Sequence, residues 1–107
     1  MRKLSTYPKS LDTRQAERLI AQLAEDSNRV YYTDHAQERM EERDVSMQDI
    51  ERILKNGFCA DQPIRDEKGQ WKCKLIRHHN GNRDVGVITV ILRSHALLIV
   101  TVEWEDI

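Results

Sequence analysis

The hydrophobic pattern of this chain changes at Gly57 from a helical to a strand-like period, and that change decides the fold class. Before Gly57, apolar residues recur at three- and four-residue intervals, as Ile20, Leu23 and Ala24 do. After it, apolar and polar residues alternate, which is typical of strands with one buried face. We therefore predict an α+β fold in which N-terminal helices pack on one face of a three- to four-stranded antiparallel sheet.

Three helices are predicted before Gly57, at residues 11–26, from His35 onward, and at residues 47–55. The third has the clearest boundaries, because Ser46 and Asp49 are spaced as a capping box. The dipeptide Asn56-Gly57 predicts a left-handed stop for this helix. The candidate N-caps are Ser10 or Asp12 for the first helix, Thr33 or Asp34 for the second, and Ser46 for the third.

The second half of the chain predicts a meander of strands. One strand has an apolar and a cationic face, formed in alternation by Trp71, Lys72, Cys73, Lys74 and Leu75. Segments 85–92 and 97–104 are apolar on both faces, as covered central strands are. Short extended pieces are predicted at residues 30–32 and 58–64, and turns at residues 66–69, 80–82 and 93–95.

Composition indicates a single domain of 107 residues without a general affinity for nucleic acid. The 17 basic and 18 acidic residues leave a net charge of −1, whereas nucleic-acid-binding domains tend to be clearly basic. A nucleic-acid site must therefore be a local patch. The start of the chain has no apolar run that fits a signal peptide, and the apolar segments are too short to span a bilayer, so we expect a cytoplasmic protein and no membrane partner.

Neither a metal nor another cofactor is predicted. Cys59 and Cys73 are not spaced as metal ligands and are expected to be reduced thiols. The four histidines are scattered. The carboxylates Asp61, Asp66 and Glu67 do not form a convincing cluster for a metal-dependent nuclease.

The second predicted helix carries His35, Arg39 and Arg43 at four-residue intervals, which places them in one stripe. An imidazole that titrates near neutral pH beside two guanidinium groups is a plausible start for a phosphate site. The same arginines, interspersed with Glu38, Glu41 and Glu42, also fit intrahelical ion pairs on a solvated face.

A second cationic patch is predicted at the hairpin of residues 65–83, which holds six Lys and Arg residues against two acids. Such a patch can hold an RNA backbone, because phosphate contacts dominate nucleic-acid affinity. The candidate RNA-binding residues are Lys72, Lys74, Arg77, His78 and Arg83. On strand parity, the outer sheet face is formed by Lys72, Lys74, Ile76 and His78, and it can be shared by Thr89, Thr101 and Glu103. The alternative is ordinary surface, with His78-His79 solvated beside the turn.

The chain resembles a small bacterial and phage family, domain of unknown function 4258. The resemblance covers about residues 30–104 and rests on Thr33-x-His35-Ala36-x-x-Arg39-Met40-x-x-Arg43-x-Val45-Ser46, followed by Ile50-x-x-Ile53-Leu54-x-x-Gly57. Through that family it implies a distant relation to the RelE/ParE-like and barnase–colicin-like ribonuclease folds. Residues 1–29 then form an N-terminal helical extension, and residues 30–107 form the RelE-like core.

This resemblance implies metal-independent cleavage of RNA by a toxin-like endoribonuclease with a small antitoxin as partner, and it carries over onto His35, Arg39 and Arg43 as the catalytic set. Histidine, glutamate, lysine and arginine can supply the proton transfers and the charge stabilisation that such a reaction needs. The alternative is a non-catalytic accessory module of phage or plasmid origin that binds protein or nucleic acid. The oligomeric state stays open, a dimer included.

Overall fold

The α+β fold is confirmed by a computed structural model that describes residues 6–79 and 83–105. The helices are α1 (Thr13–Leu23), α2 (Asp34–Arg43) and α3 (Met47–Asn56). The strands are β1 (Val30–Tyr32), β2 (Phe58–Cys59), β3 (Ile64–Arg65), β4 (Trp71–His79), β5 (Arg83–Ile91) and β6 (Leu97–Trp104).

Each helix begins at a side chain that caps its first turn. Asp12 and Gln15 form a capping box at α1, and the Thr33 hydroxyl accepts the backbone N–H of Ala36 at α2. The predicted capping box of Ser46 and Asp49 is confirmed at α3. Because a side-chain acceptor satisfies an N–H group that has no partner inside the helix, these caps fix where the helices start.

The predicted left-handed stop at Gly57 is wrong. Gly57 has φ −74° and ψ 168°, which is extended backbone that any residue adopts. A Cβ atom at this position would lie 2.6 Å from the carbonyl oxygen of Ile53 and 3.0 Å from that of Ile76. Glycine is therefore required here because two backbone segments approach closely, not because the chain needs a positive φ.

The expected three to four antiparallel strands are too few, because the described residues form a sheet of six strands. It is built around the antiparallel strands β4, β5 and β6, in the order β1-β6-β5-β4-β2, and β3 also pairs with β4. The short strand β1 runs parallel to β6, while β2 and β3 are antiparallel to β4. The turns at residues 66–69 and 93–95 are confirmed, with positive φ at Gly69 and His95. The predicted turn at residues 80–82 lies outside the described residues.

All three helices bury their apolar residues against one face of the sheet, where they form a single core. Its largest fully buried side chains include Ile20, Ile50, Leu54, Leu75, Ile91, Leu97 and Ile99. Helix α1 contacts α3 and β2 and contributes Ala16, Ile20 and Leu23 to this core. The N-terminal helix is therefore an integral layer over the sheet.

Thr89 was expected on the outer face, and this expectation is wrong. It pairs in register with Cys73 of the core and is fully buried. The register between β5 and β6 shifts at Ile88/Thr89, and this bulge reverses the facing of the residues that follow it in β6. Thr101 and Glu103 are thus on the outer face, while Thr89 is not.

Replacing Ser46 with Ala should lower the free energy of unfolding by about 1 kcal/mol, because one end of α3 loses its capping box. Chemical denaturation measures this change. The matched control is Ser94→Ala in the exposed turn between β5 and β6, which should change stability by less than about 0.5 kcal/mol. Equal effects of the two substitutions would contradict the role of the cap.

Candidate functional site

Several predicted site residues meet at one end of the sheet, which we call the hairpin end. It is formed by the last residues of β4, the first of β5 and the last of β6, because His79 pairs with Arg83 and Val85 pairs with Trp104. The C-terminus of α2 and the N-terminus of α3 lie at the same end. Residues distant in the sequence thereby become neighbours.

A cleft of about 310 Å³ opens at the hairpin end, and we call it the acid–base cleft. It is lined by Arg43, Lys74, Glu103, Trp104 and Glu105. The Lys74 ammonium lies 3.1 Å from Glu105 Oε2 and 3.2 Å from Glu103 Oε1. Burial acts to lower the pKa of Lys74, but the hydrogen bonds and charges of Glu105 and Glu103 outweigh burial and raise it. Lys74 is therefore held as a cation at neutral pH.

Gly86 makes this arrangement possible. It lies in the central strand β5, between Ile76 and Glu103 in the cross-strand register. A Cβ atom here would lie 2.8 Å from Lys74 Cδ and closer still to the Glu105 carboxylate. Glycine weakens a strand, so its presence in β5 indicates that space is needed above the backbone. Lys74 uses this space to reach across β5 to the two glutamates on the far side.

Arg43 is the residue of the helical stripe that reaches the cleft. Its side chain is largely covered, and its Nη1 atom lies 3.3 Å from Glu42 Oε1, which Arg39 also contacts. The Nε atom of Arg43 is buried with no hydrogen-bond partner among the described residues. One guanidinium edge is thus paired within the helix, while the side chain lines the cleft beside Lys74.

His35 is not brought to this cleft. It is the exposed second residue of α2, and Arg43 follows it by eight positions. Since an α-helix rises 1.5 Å per residue, the two Cα atoms are separated by about 12 Å along the helix axis. Arg39 lies between them and pairs with Glu42. The members of the predicted catalytic set are therefore separated. Arg43 lies beside the sheet residues of the cleft, and His35 does not.

The predicted RNA-binding residues take different positions on the sheet. Lys72 lies on the outer face, between Ile64 and Val90 in register, and Arg77 is exposed near the end of β4. His78 Nδ1 lies 3.1 Å from Asp84 Oδ1. The guanidinium of Arg83 stacks 4.1 Å from the centre of the Trp104 ring, which is a cation–π geometry. Arg77, His78 and Arg83 share the hairpin end, whereas Lys72 lies toward the opposite end.

His79 is a residue that sequence reasoning misplaced as solvated. It is only 9% exposed, its ring centre lies 6.2 Å from that of Trp104, and its Nε2 atom lies 3.9 Å from Asp49 Oδ2. Strand alternation contained the signal, because His79 has the same parity as the core-facing Cys73 and Leu75. Glu105 and Gly86 were also missed, and only the cross-strand register reveals their relation to Lys74.

Within residues 6–79 and 83–105, no group of three or more His, Cys, Asp and Glu side chains is arranged to hold a metal ion. No helix in the described part of the chain is long and apolar enough to cross a membrane.

Comparison with known families identifies the chain. Residues 32–104 match the family described as "Domain of unknown function (DUF4258)", so this protein belongs to that family. The match runs from the end of β1 to the end of β6 and includes α2, Lys74 and Glu103, while α1 precedes it. No curated protein and no solved structure matches the chain.

Replacing Glu103 and Glu105 together with Gln should lower the pKa of Lys74, because burial remains while the carboxylates that hold the charge are lost. An NMR titration of the lysine side-chain carbons measures this shift directly. Glu67→Gln, in the exposed turn before β4, is the matched control and should leave the pKa of Lys74 unchanged. An unchanged pKa in the double variant would show that the ion cluster does not form in solution.

Proposed function

We propose that this protein is a toxin-like, metal-independent ribonuclease whose reaction takes place in the acid–base cleft. One observation carries the proposal. Arg43 of the helical motif and Lys74 of the sheet, which are 31 positions apart in the sequence, line one cleft together with two carboxylates. Cleavage of RNA without a metal needs a base for the 2′-hydroxyl, a proton donor for the leaving oxygen, and cations for the charge on the phosphorane.

The residues of the cleft can supply the base and the cations. A carboxylate of Glu103 or Glu105 can accept the proton of the 2′-hydroxyl group, whose oxygen then attacks the adjacent phosphorus. The bond from phosphorus to the 5′-oxygen breaks, and the departing 5′-oxygen takes up a proton from water. Lys74 stays charged at neutral pH and, with Arg43, can stabilise the negative charge on the phosphoryl oxygens. A phosphate bound between these cations competes for the Lys74 hydrogen bonds and releases a carboxylate to act as the base.

The RNA strand would extend from the cleft across the hairpin end. At the hairpin end, further phosphates can be contacted by Arg77, His78 and Arg83. Lys72 can contact the strand farther along the outer face. The proposal keeps the cytoplasm as the expected location, and a small antitoxin-like protein remains the predicted partner.

Lys74→Ala and Arg43→Ala should each abolish growth arrest and RNA fragmentation when the protein is expressed in bacteria, since loss of one charge-stabilising group typically slows a reaction about 100-fold or more. Growth curves and the integrity of total RNA measure both effects. The matched controls are Lys55→Ala and Arg14→Ala, at exposed positions on α3 and α1, which should behave as wild type.

A His35→Ala variant in the same assay separates the two parts of the predicted catalytic set. The cleft account expects it to retain cleavage, because His35 lies about 12 Å along α2 from Arg43. Loss of cleavage in His35→Ala with full activity in Lys74→Ala would move the reaction away from the cleft. Melting temperatures of all variants distinguish lost chemistry from lost folding.

A second function is favoured by a row of side chains across the outer face. Five residues on five strands are adjacent in register, in the order Tyr31, Leu98, Val90, Lys72 and Ile64. Tyr31 and Ile64, at the two ends of this row, are 54% and 57% exposed. Val90 in the middle of the row is already buried. The row fits a protein partner whose apolar side chains cover Tyr31 and Ile64 and whose carboxylate meets Lys72, so the protein would be a non-catalytic binding module.

The salt dependence of RNA binding distinguishes the two functions. A ribonuclease that contacts Z phosphates of a single strand should lose affinity with a slope near −0.7Z against the logarithm of salt concentration. Fluorescence anisotropy with a labelled RNA oligonucleotide measures this slope. A steep slope that Arg77→Ala and Arg83→Ala both reduce supports the ribonuclease, whereas weak binding without salt dependence favours the binding module.

A further inference from the structure

Two cysteines lie next to each other on neighbouring strands, beneath the helices. Cys59 of β2 pairs in register with Leu75, and Cys73 lies two residues before Leu75 in β4. The two cysteines are therefore diagonal neighbours on the same face of the sheet. Both are free thiols and only 6% exposed. The acid–base cleft does not include either of them.

The two thiols interact and are chemically unequal. The hydrogen bond from Cys73 lowers the pKa of the Cys59 thiol, although burial and the nearby carboxylates Glu17 and Asp61 act in the opposite direction. The same hydrogen bond and burial raise the pKa of Cys73. Cys59 also lies on the edge strand β2, whereas Cys73 lies on the inner strand β4. Position and pKa direction together point to Cys59 as the thiolate of the pair.

The backbone around Cys59 allows the two sulfur atoms to approach. Diagonal neighbours in a sheet have Cα atoms about 7–8 Å apart, slightly more than the 4.4–6.8 Å that a disulfide usually spans. Strand β2 has only two residues, lies at the sheet edge and is followed by four residues outside any strand. A small movement of this edge segment toward β4 closes the difference.

We propose that Cys59 and Cys73 form a reversible intramolecular disulfide in response to peroxide, with Cys59 as the attacking thiolate and Cys73 as the resolving thiol. The Cys59 sulfur attacks one oxygen of hydrogen peroxide, forms a sulfenic acid and releases hydroxide, which takes up a proton to become water. The Cys73 sulfur then attacks the sulfenic sulfur, and the departing hydroxide takes the Cys73 proton and leaves as a second water. Two thiols are oxidised, and one peroxide is reduced to two waters.

A small oxidant would reach the pair from the edge of the sheet. Cys59 Sγ donates a hydrogen bond to the carbonyl oxygen of Asp61 at 3.2 Å, and Asp61 is an exposed residue of the segment that follows β2. The disulfide would close a loop over residues 59–73, which carries β3 and the exposed Ile64. This inference is independent of the proposed ribonuclease activity.

The test is to treat the folded wild-type protein with hydrogen peroxide, block the remaining thiols by alkylation, and measure the intact mass under non-reducing conditions. The expected product is a monomer that has lost two hydrogens, carries no alkyl group and is restored by a dithiol reductant. Peptide mapping should find Cys59 joined to Cys73. A wild-type protein that keeps both thiols, forms only disulfides between molecules, or accumulates sulfinic acid would overturn the proposal.

Two serine variants assign the roles of the cysteines. In Cys73→Ser, Cys59 should stop at the sulfenic acid and be captured by dimedone. In Cys59→Ser, Cys73 should stay reduced at the same peroxide concentration. Oxidation of Cys73 in Cys59→Ser at the wild-type rate would contradict the assignment of Cys59 as the attacking thiol. The wild-type mass decides whether the disulfide forms even where a variant folds poorly.

Discussion

Packing of three helices against one face of a single sheet is the constraint on which the rest of this structure depends. Ile20 of α1 and Ile50 and Leu54 of α3 are fully buried in the core that these helices share with the sheet. Because all three helices are used on that face, the opposite face presents polar and apolar side chains together, from Lys74 and Glu103 to Tyr31 and Ile64. Because the core lies on one side of the sheet, the helices support the sheet and leave its outer face uncovered by helices.

The acid–base cleft depends on the Lys74 side chain, which crosses the central strand β5 at Gly86. Gly86 leaves room for Lys74 to extend from β4 to Glu103 and Glu105, and α2 ends where Arg43 meets the same cleft. The cleft thus gathers charged side chains of both signs in one place, although the net charge of the chain is only −1. It also brings the helical stripe of His35, Arg39 and Arg43 to the predicted cationic strand, although through Arg43 rather than through His35.

The sequence was sufficient to predict the elements whose signals are local. The cap at Ser46, the alternation in β4 and the helices ahead of the strands all depend on neighbouring residues. The relations that were missed depend on register. The bulge at Ile88/Thr89 decides which β6 residues share a face with Lys74, and Gly57 is needed because the distant Ile76 carbonyl approaches it. Pattern alone does not contain such contacts, since they arise only when the strands pair.

We propose that the acid–base cleft cleaves RNA without a metal by using the 2′-hydroxyl group of the substrate. The most direct test incubates the purified protein, in the presence of EDTA, with an RNA oligonucleotide and with its fully 2′-O-methylated counterpart. We expect that the RNA is cut to products ending in a 2′,3′-cyclic phosphate, that the methylated strand stays intact, and that Lys74→Ala cuts neither. Cleavage of both strands, or of the RNA by Lys74→Ala at the wild-type rate, would contradict it.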